Sequence, residues 1–576
     1  MQIPNSIEGL KTDEWATYAP FFEELRQREV GDDSAEIQRW LHDWSHLSKL
    51  VGEAGSVIYI DKTLDTNDKQ IEETYLRYVS DVRPKAQAAD QQLKERLLTI
   101  DAEKTGLVLA IRRIRNEAEL FRAENLPLQT ELAKLTAEYD KLTGNLSAEW
   151  DGETQNLNQL IAHVGSGDRV VAERAYRTIL DLWLSIRQPL NELFAKLLPL
   201  RQQIAQNAGF TDFRDYSFQM MERFEYTPED CQTFHEAIET VVVPAVERLL
   251  KKKKVRLDLD QLKPWDWVPD MGNFVVSTDD GLPLKPYRNQ GELVTRCSAM
   301  FHKLDEELAT YFDTMVRDEL LDLEARQGKA MGGYCTTLSL RERAFIFMNG
   351  VGTQDNVQTM LHEAGHAFHS FESMAHTEYV WQEHAPMEFC EVASMAMELL
   401  AAPNLTRENG GFYSASDAAR ARIEHLEVLL LFLPYMSVVD NFQHWVYTHP
   451  DEALDSANLD AKWLELWQRF IPVVDWSEFQ DSAETGWHRK LHIFQVPFYY
   501  IEYGMAQIGA MQVWRNSLDD YDQALADYRA SLALGATRTL PELFEAAGAE
   551  FRFDVPMLTD LVTLVEETIA QLEQQI

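Results

Sequence analysis

The sequence predicts a mainly α-helical protein built around one short strand–turn–helix unit. Three observations lead there. Apolar residues recur at helical spacing from residue 13 to 126, and the chain from 386 to the C-terminus keeps the same helical character. Extended signals stand out at two places, the Asp151-Gly152 turn and the aromatic-rich run Arg343–Gly350. Just after that run lies Met360-Leu-His-Glu-Ala-Gly-His-Ala-Phe-His-Ser370, which contains His362-Glu363-x-x-His366.

In chain order, the first helices declare themselves by stripes. Ile37, Trp40, Leu41, Trp44 and Leu47 line one face of a helix that Asp33 and Ser34 would cap. Helical patterns follow over 67–82 and 86–99, with Pro84 as a break between them, and over 100–126 up to Pro127. Residues 128–142 form a further helix, and Asp151-Gly152 turns a hairpin. The loop Gly165–Asp168 leads into a helix at 169–186. Helical character then runs to about 254, punctuated by Gly209 and Pro228. Lys251–Lys254 reads as a solvated last turn, favoured by the helix dipole. Pro264–Trp267 and residues 272–290 form an irregular connector, followed by a helix at 290–321. Gly328, Gly332 and Gly333 mark a loop before the strand, and Asp355-Asn356 would cap the motif helix. Farther on, prolines such as Pro403, Pro434 and Pro497 break the helical pattern. No internal repeat or low-complexity tract interrupts this order.

Composition narrows the function classes. A chain of 576 residues holds two to four structural units, or one large catalytic body with an appended helical region. Its 45% hydrophobic and 26% charged content is that of a soluble protein with material for a real core. The net charge of -40, from 94 acidic and 54 basic residues, argues against nucleic acid and anionic membrane surfaces as partners. No apolar run reaches the roughly 18 residues of a membrane span, and Met1–Gly9 lacks the basic and apolar regions of a secretory signal. Cys231, Cys297, Cys335 and Cys390 form no C-x-x-C pair and no disulfide framework. The expectation is a cytoplasmic protein.

The motif supplies the chemistry. Histidines at i and i+4 lie one above the other on a helix. They can share one tetrahedral zinc ion per chain, leaving room for a third ligand and a water. Glu363, beside the first histidine, is placed to take a proton from that water. His369, seven residues beyond His362, sits about 10 Å farther along the same face. The glycine and second histidine of a metzincin are missing after it, so it reads as a residue that supports a ligand from behind or as a packing residue. Glu372, Glu378, Glu383, His384, Glu388 and Glu391 are the downstream candidates for the third ligand. Pro386 opens a second helix, Met387–Leu400, in whose first turn Glu388 is expected on dipole grounds alone. Glu391 falls deeper, among Phe389, Cys390, Val392 and Ala393, where a carboxylate is costly unless a cation compensates it. That selects Glu391 as the third ligand. Glu398, two turns on, is placed to orient a histidine.

The stretch Trp487–Gly504 carries His488, His492, Tyr499, Tyr500 and Tyr503. His488 and His492 share i,i+4 spacing but have no intervening glutamate or nearby cysteine, which disfavours a rival metal pair. The stretch fits two readings: hydrogen-bond donation to a developing charge, and plain aromatic packing of an amphipathic helix.

Taken together, Gly332-Gly-Tyr-Cys335, Ala344-Phe-Ile-Phe-Met-Asn349, His362 through His369, Glu388-Phe-Cys-Glu-Val-Ala-Ser394 and His492 through Tyr503 resemble, in order, the M3 family of zinc metallopeptidases, the thimet oligopeptidase and oligoendopeptidase F group. Weaker likeness covers roughly residues 200–570. The resemblance implies zinc ligands at His362, His366 and Glu391 and a general base at Glu363. It implies carbonyl-binding groups at His492, Tyr500 and Tyr503, with Tyr499 competing with Tyr500 for its place. One tyrosine of the thimet pattern has no clear counterpart in this chain. The implied fold is a two-lobed helical ellipsoid with a deep central channel and a small sheet beside a gluzincin-type helix pair. Residues 1–205 would form an N-terminal helical domain with a small hairpin, and 206–576 the catalytic domain. Such a channel admits short unstructured peptides. The strand at 344–349 would pair with the substrate backbone, which makes Gly332, Gly333, Phe345 and Phe347 candidate substrate-binding residues. The expected function is a zinc-dependent endopeptidase for oligopeptides. Its rivals are a helical metallocarboxypeptidase, some of which also carry His-Glu-Ala-Gly-His, and a non-catalytic peptide-binding scaffold. Oligomeric state is left open.

Overall fold

The computed structural model describes residues 2–31, 33–100, 105–271, 283–326, 328–330 and 332–576. The fold is mainly helical, with two small sheets. The connector at 272–290 lies largely outside the described residues, as do 101–104 of the helical stretch 100–126. Two compact units emerge, each woven from three stretches. One comprises residues 1–118, 285–418 and 509–551, the other 119–284, 419–508 and 552–576. The division expected at 205/206 falls inside the second unit. Among the described residues, no helix is long and apolar enough to cross a membrane.

In the first unit, the helix Ser34–Leu64 buries the predicted stripe of Ile37, Trp40, Leu41, Trp44 and Leu47. Burying an indole requires a partner for its N–H. Trp40 donates to Leu25 O (3.0 Å) and Trp44 to Asp90 Oδ1 (2.8 Å). Pro84 does not break the chain's course. A π-helical turn, Tyr78–Val82, leads directly into the helix Arg83–Leu97, and Arg83 N–H reaches back to Tyr78 O. The wider turn relieves the clash of a proline ring with the carbonyl four residues before it. In the second unit, Ile238–Val242 makes the same turn ahead of Pro244.

The segment expected as one helix at 290–321 is two, Gln290–Leu304 and Glu306–Arg317. Asp305 separates them and caps the second, accepting from the Glu307 and Leu308 amides. A strand that the sequence reading missed, Leu321–Glu324, follows. The predicted strand Arg343–Gly350 is the middle of three, parallel to Leu321–Glu324 on one side and antiparallel to Tyr334–Leu338 on the other. Lys329 pins the connecting loop: its buried Nζ sits 2.6 Å from Asp322 Oδ1 and donates to the carbonyls of Asp322, Glu324 and Met348.

The second unit contains the hairpin Ser147–Trp150/Glu153–Asn156, turned at Asp151 (φ 51°) and Gly152 (φ 91°) as Asp-Gly spacing predicts. Pro127 does not end a helix but lies in the first turn of Asn125–Gly144, where a missing N–H costs nothing. Pro434 is inside the helix Ala415–Thr448. The lysine run is only partly solvated. Lys252 pairs with Glu573 at the surface, but Lys253 is buried with Nζ 2.6 Å from Glu427 Oε2. Arg201, 1% exposed, donates to Tyr447 Oη (2.7 Å), Ile493 O (3.1 Å) and Phe494 O. It thus satisfies two carbonyls that have no helical partner. Arg201→Met should orphan all three acceptors and lower stability by about 2–4 kcal/mol, read as a fall in the urea midpoint of the full chain.

Candidate metal centre

The motif helix runs from Gln354 to His376. Thr353, rather than Asp355, is its N-cap. Asn356 supplies the reciprocal half of a capping box, its Oδ1 accepting from Thr353 N–H at 3.2 Å. The second helix is Met387–Ala401, with Pro386 as the residue just before its first turn. The two pack closely because of Gly365. A Cβ there would stand 2.6 Å from Ser394 Cα and 2.7 Å from Ala393 O. From behind, Tyr528 Oη donates to Ala393 O (2.7 Å).

That approach brings three ligand atoms together. Donor atoms of His362, His366 and Glu391 all lie within 4.8 Å of one another. Glu391 Oε2 is 3.4 Å from His362 Nε2 and 3.6 Å from His366 Nε2, and the two imidazole planes stand at 85°. His362 Nδ1 is 2.8 Å from Glu398 Oε1, which turns Nε2 toward Glu391. Two imidazoles and one carboxylate converging in this way form a donor set suited to zinc. The other carboxylates weighed for the third position are engaged elsewhere. Glu372 binds Arg529 (2.8 Å), Glu378 lies 2.9 Å from His42, and Glu383 pairs with Lys49 (2.6 Å). Glu388 is buried in the first turn of its helix. His369 is buried against the edge of Phe389, outside the three-atom cluster.

Electrostatics favour a cation between these groups. Burial works against a charged His362, yet the Glu391 and Glu398 carboxylates raise its pKa well above the imidazole range. Burial works against an ionised Glu391, yet His362 and His366 hold its pKa down. The pair therefore carries a proton between its two members, a position that a metal ion would take over. Burial lowers the pKa of His366 to about 4, so its ring is neutral and ready to ligate. Glu363 is pushed up to about 7, chiefly by burial.

Gly333 borders the general-base candidate: a Cβ on it would lie 3.7 Å from Glu363 Oε1 and 3.4 Å from Phe347 O. Gly332 holds a φ of +91°, which glycine adopts at little cost. Phe345 and Phe347 do not offer their side chains to a ligand. Both are buried, and Phe347 stacks on Tyr334 at 4.9 Å. Their strand is paired along both edges, so strand addition to residues 344–349 is blocked. In the three-stranded sheet, Tyr334–Leu338 is the edge strand on the antiparallel side.

The remaining candidates belong to the second unit. His492 is in the short helix Leu491–Gln495, and Tyr500 opens the helix Tyr500–Asp519. The rings of Tyr500 and Tyr503 lie 4.9 Å and 6.3 Å from that of His492, and Tyr499 is 5.3 Å from Tyr503. Burial lowers the pKa of His492 to about 3 and raises that of Tyr500, so both are neutral near pH 7. Arg223 fixes the turn between them. This residue, unnoticed in the sequence, donates to Phe498 O (2.5 Å) and Glu502 Oε1 (2.8 Å) from full burial. His488 instead meets Asn191 Oδ1 at 2.7 Å.

Two substitutions probe the helix pair. Glu398→Gln should weaken zinc binding about 10–100-fold, measured by competition with a chromophoric chelator. Gly365→Ala should destabilise the fold by about 1–3 kcal/mol and weaken zinc binding as well, since the new methyl forces Glu391 away from the histidines.

Residues 163–563 match the family model described as Peptidase family M3, and residues 10–105 the one described as Peptidase M3 N-terminal domain. Among curated proteins, Oligoendopeptidase F, chromosomal, of Lactococcus lactis subsp. cremoris is 25% identical over 167 residues, 29% of this chain and 26% of that protein. Group B oligopeptidase PepB of Streptococcus agalactiae serotype III (strain NEM316) is 24% identical over 250 residues, 43% of this chain and 39% of that protein. The chain thus spans well under half the length of these two relatives. A solved structure, PZ peptidase A with inhibitor 2, superposes with a TM-score of 0.86 at 27% identity, covering 100% of this chain and 99% of that one. With the M3 model matched over more than half its length, the chain belongs to peptidase family M3.

Proposed function

We propose that this chain is a zinc-dependent endopeptidase that hydrolyses short unstructured oligopeptides in the cytoplasm. The observation that carries the reading is the convergence of His362, His366 and Glu391 beside a buried Glu363. Bound zinc would supply Lewis acidity, polarising the scissile carbonyl and making water acidic near neutral pH.

The chain's own groups do the rest. Glu363, with a pKa near 7, accepts a proton from the attacking water. As the water oxygen bonds to the carbonyl carbon and the C–N bond breaks, that proton passes to the leaving amine. Glu398 holds His362 in the tautomer that presents Nε2 to the ion. We assign His492, Tyr500 and Tyr503 as hydrogen-bond donors to the carbonyl oxygen, on the strength of the neutral state of His492 and Tyr500 and of the resemblance of all three to the family pattern. Peptide backbone would add to the Tyr334–Leu338 edge, beside Gly333 and Glu363.

Glu363→Gln should keep its zinc and lose roughly 10²–10⁴-fold in kcat, measured on a peptide mixture by mass spectrometry. Normal turnover by that variant would refute the mechanism. A peptide blocked at both ends should be cleaved internally, and a chelator should abolish the cleavage. If only unblocked peptides are cut, the carboxypeptidase reading replaces this one. Tyr503→Phe should lower kcat by about 10²-fold with little change in KM.

A further inference from the structure

The second unit contains another convergence of ligand-type side chains, which neither the sequence motif nor the peptidase reading uses. Cys231 and His235 are spaced i,i+4 on the helix Pro228–Ala237, and Asp440 and His444 are spaced i,i+4 on Ala415–Thr448. Each pair therefore lies on one face of its helix, and the two faces meet. Donor atoms of Cys231, Asp440 and His444 all lie within 4.8 Å of one another. Asp440 Oδ2 is 3.0 Å from His235 Nε2 and 3.1 Å from His444 Nε2. None of the four residues is more than 5% exposed.

The geometry is wrong for a hydrogen-bonded cluster. Both carboxylate oxygens of Asp440 and all four ring nitrogens of His235 and His444 are buried without a hydrogen-bond partner among the described residues. His235 and His444 stand at ion-pair distance from Asp440, but neither contact has hydrogen-bond geometry. Each of these six orphaned polar atoms has lost its water without gaining a partner, which costs stability. No arginine or lysine pairs with Asp440 among the ion pairs of the described residues. A thiolate and a carboxylate together carry two negative charges, which a divalent ion cancels while two neutral imidazoles complete a tetrahedron. A net-neutral centre is what a site without access to water requires.

We infer that Cys231, Asp440 and His444 bind a second zinc ion, and that His235, which stands outside this three-atom group but 3.0 Å from Asp440 Oδ2, closes on it as the fourth donor and clamps the two helices together. Four protein donors leave no position for water, so the role is structural. The clamp lies beneath the tyrosine cluster. Gln443, next to His444, accepts from Phe498 N–H at 2.8 Å, and Gly504 packs between Phe234 and Met436 of the same two helices.

Cobalt substitution of the full chain tests this. The proposed motif centre has no sulfur ligand, so a thiolate-to-cobalt charge-transfer band in the near ultraviolet reports the second site alone. The band should be present in the wild type and in Cys335→Ser and His366→Ala, and lost in Cys231→Ser. Asp440→Asn, which keeps the side chain's shape, should hold one zinc equivalent fewer than the wild type and unfold at a lower temperature. The His366→Ala arm separates this inference from the peptidase reading: failure of the motif to bind metal leaves the band in place. Absence of the band from cobalt-loaded wild type, or zinc content unchanged by both Cys231→Ser and Asp440→Asn, would overturn the inference.

Discussion

The candidate centre depends on one close contact. Gly365 lets the motif helix lie against Ser394 and Ala393 with no side chain between them. Glu391 is three residues before Ser394, so the distance between the helices decides whether its carboxylate reaches the two imidazoles. The rest of the first unit defends that distance. Tyr528 braces Ala393. Arg529 ties Glu372 of the motif helix to Asp305 at the junction of two other helices. The sheet, anchored by Lys329, sets Gly333 beside Glu363. The glycine inside the motif therefore has a packing reason for being there, separate from the metal-binding reason of its neighbours.

How much of this could be read from the sequence depended on how local each signal was. The histidine pair and its base share one helix turn, so spacing alone revealed them. Glu391 was legible because a carboxylate amid Phe389, Val392 and Ala393 has to be compensated. The strand Arg343–Gly350 was legible as a run of apolar residues, but its neighbours were not. Leu321–Glu324 is four residues with no alternation distinct enough to separate it from the preceding helix. That partner and Tyr334–Leu338 take up both edges of the middle strand, so the substrate pairing implied by the resemblance has no free edge there. Prolines misled for a similar reason. Pro84 follows a π-helical turn and Pro127 lies in the first turn of a helix, and each of these depends on the backbone around the ring rather than on the ring itself. The interleaving of three stretches into each unit leaves no mark in composition, so a single division of the chain was bound to miss it.

The cluster at Cys231, His235, Asp440 and His444 was invisible for a different reason. Each half is an i,i+4 pair of the kind that ordinary helices carry, and the halves are far apart in the chain. Only the fold makes them one object. The lysine run shows the same limit at smaller scale: nothing local distinguishes Lys253, buried on Glu427, from its solvated neighbours.

Buried acids separate the two kinds of polar cluster in this protein. Glu53, Glu372, Glu383, Glu427, Asp266 and Glu502 each face an arginine or a lysine. Those partners stay charged at neutral pH, so the pairs are complete as they stand. Glu391 and Asp440 instead face histidines. An imidazole compensates a buried carboxylate only by taking a proton, which burial itself opposes. Both carboxylates also have two imidazole nitrogens beside them, the donor arrangement that a divalent metal ion bridges. By this criterion Glu391 and Asp440 stand apart from the acids that hold the fold by charge pairing, and they are the places where the proposed ions would sit.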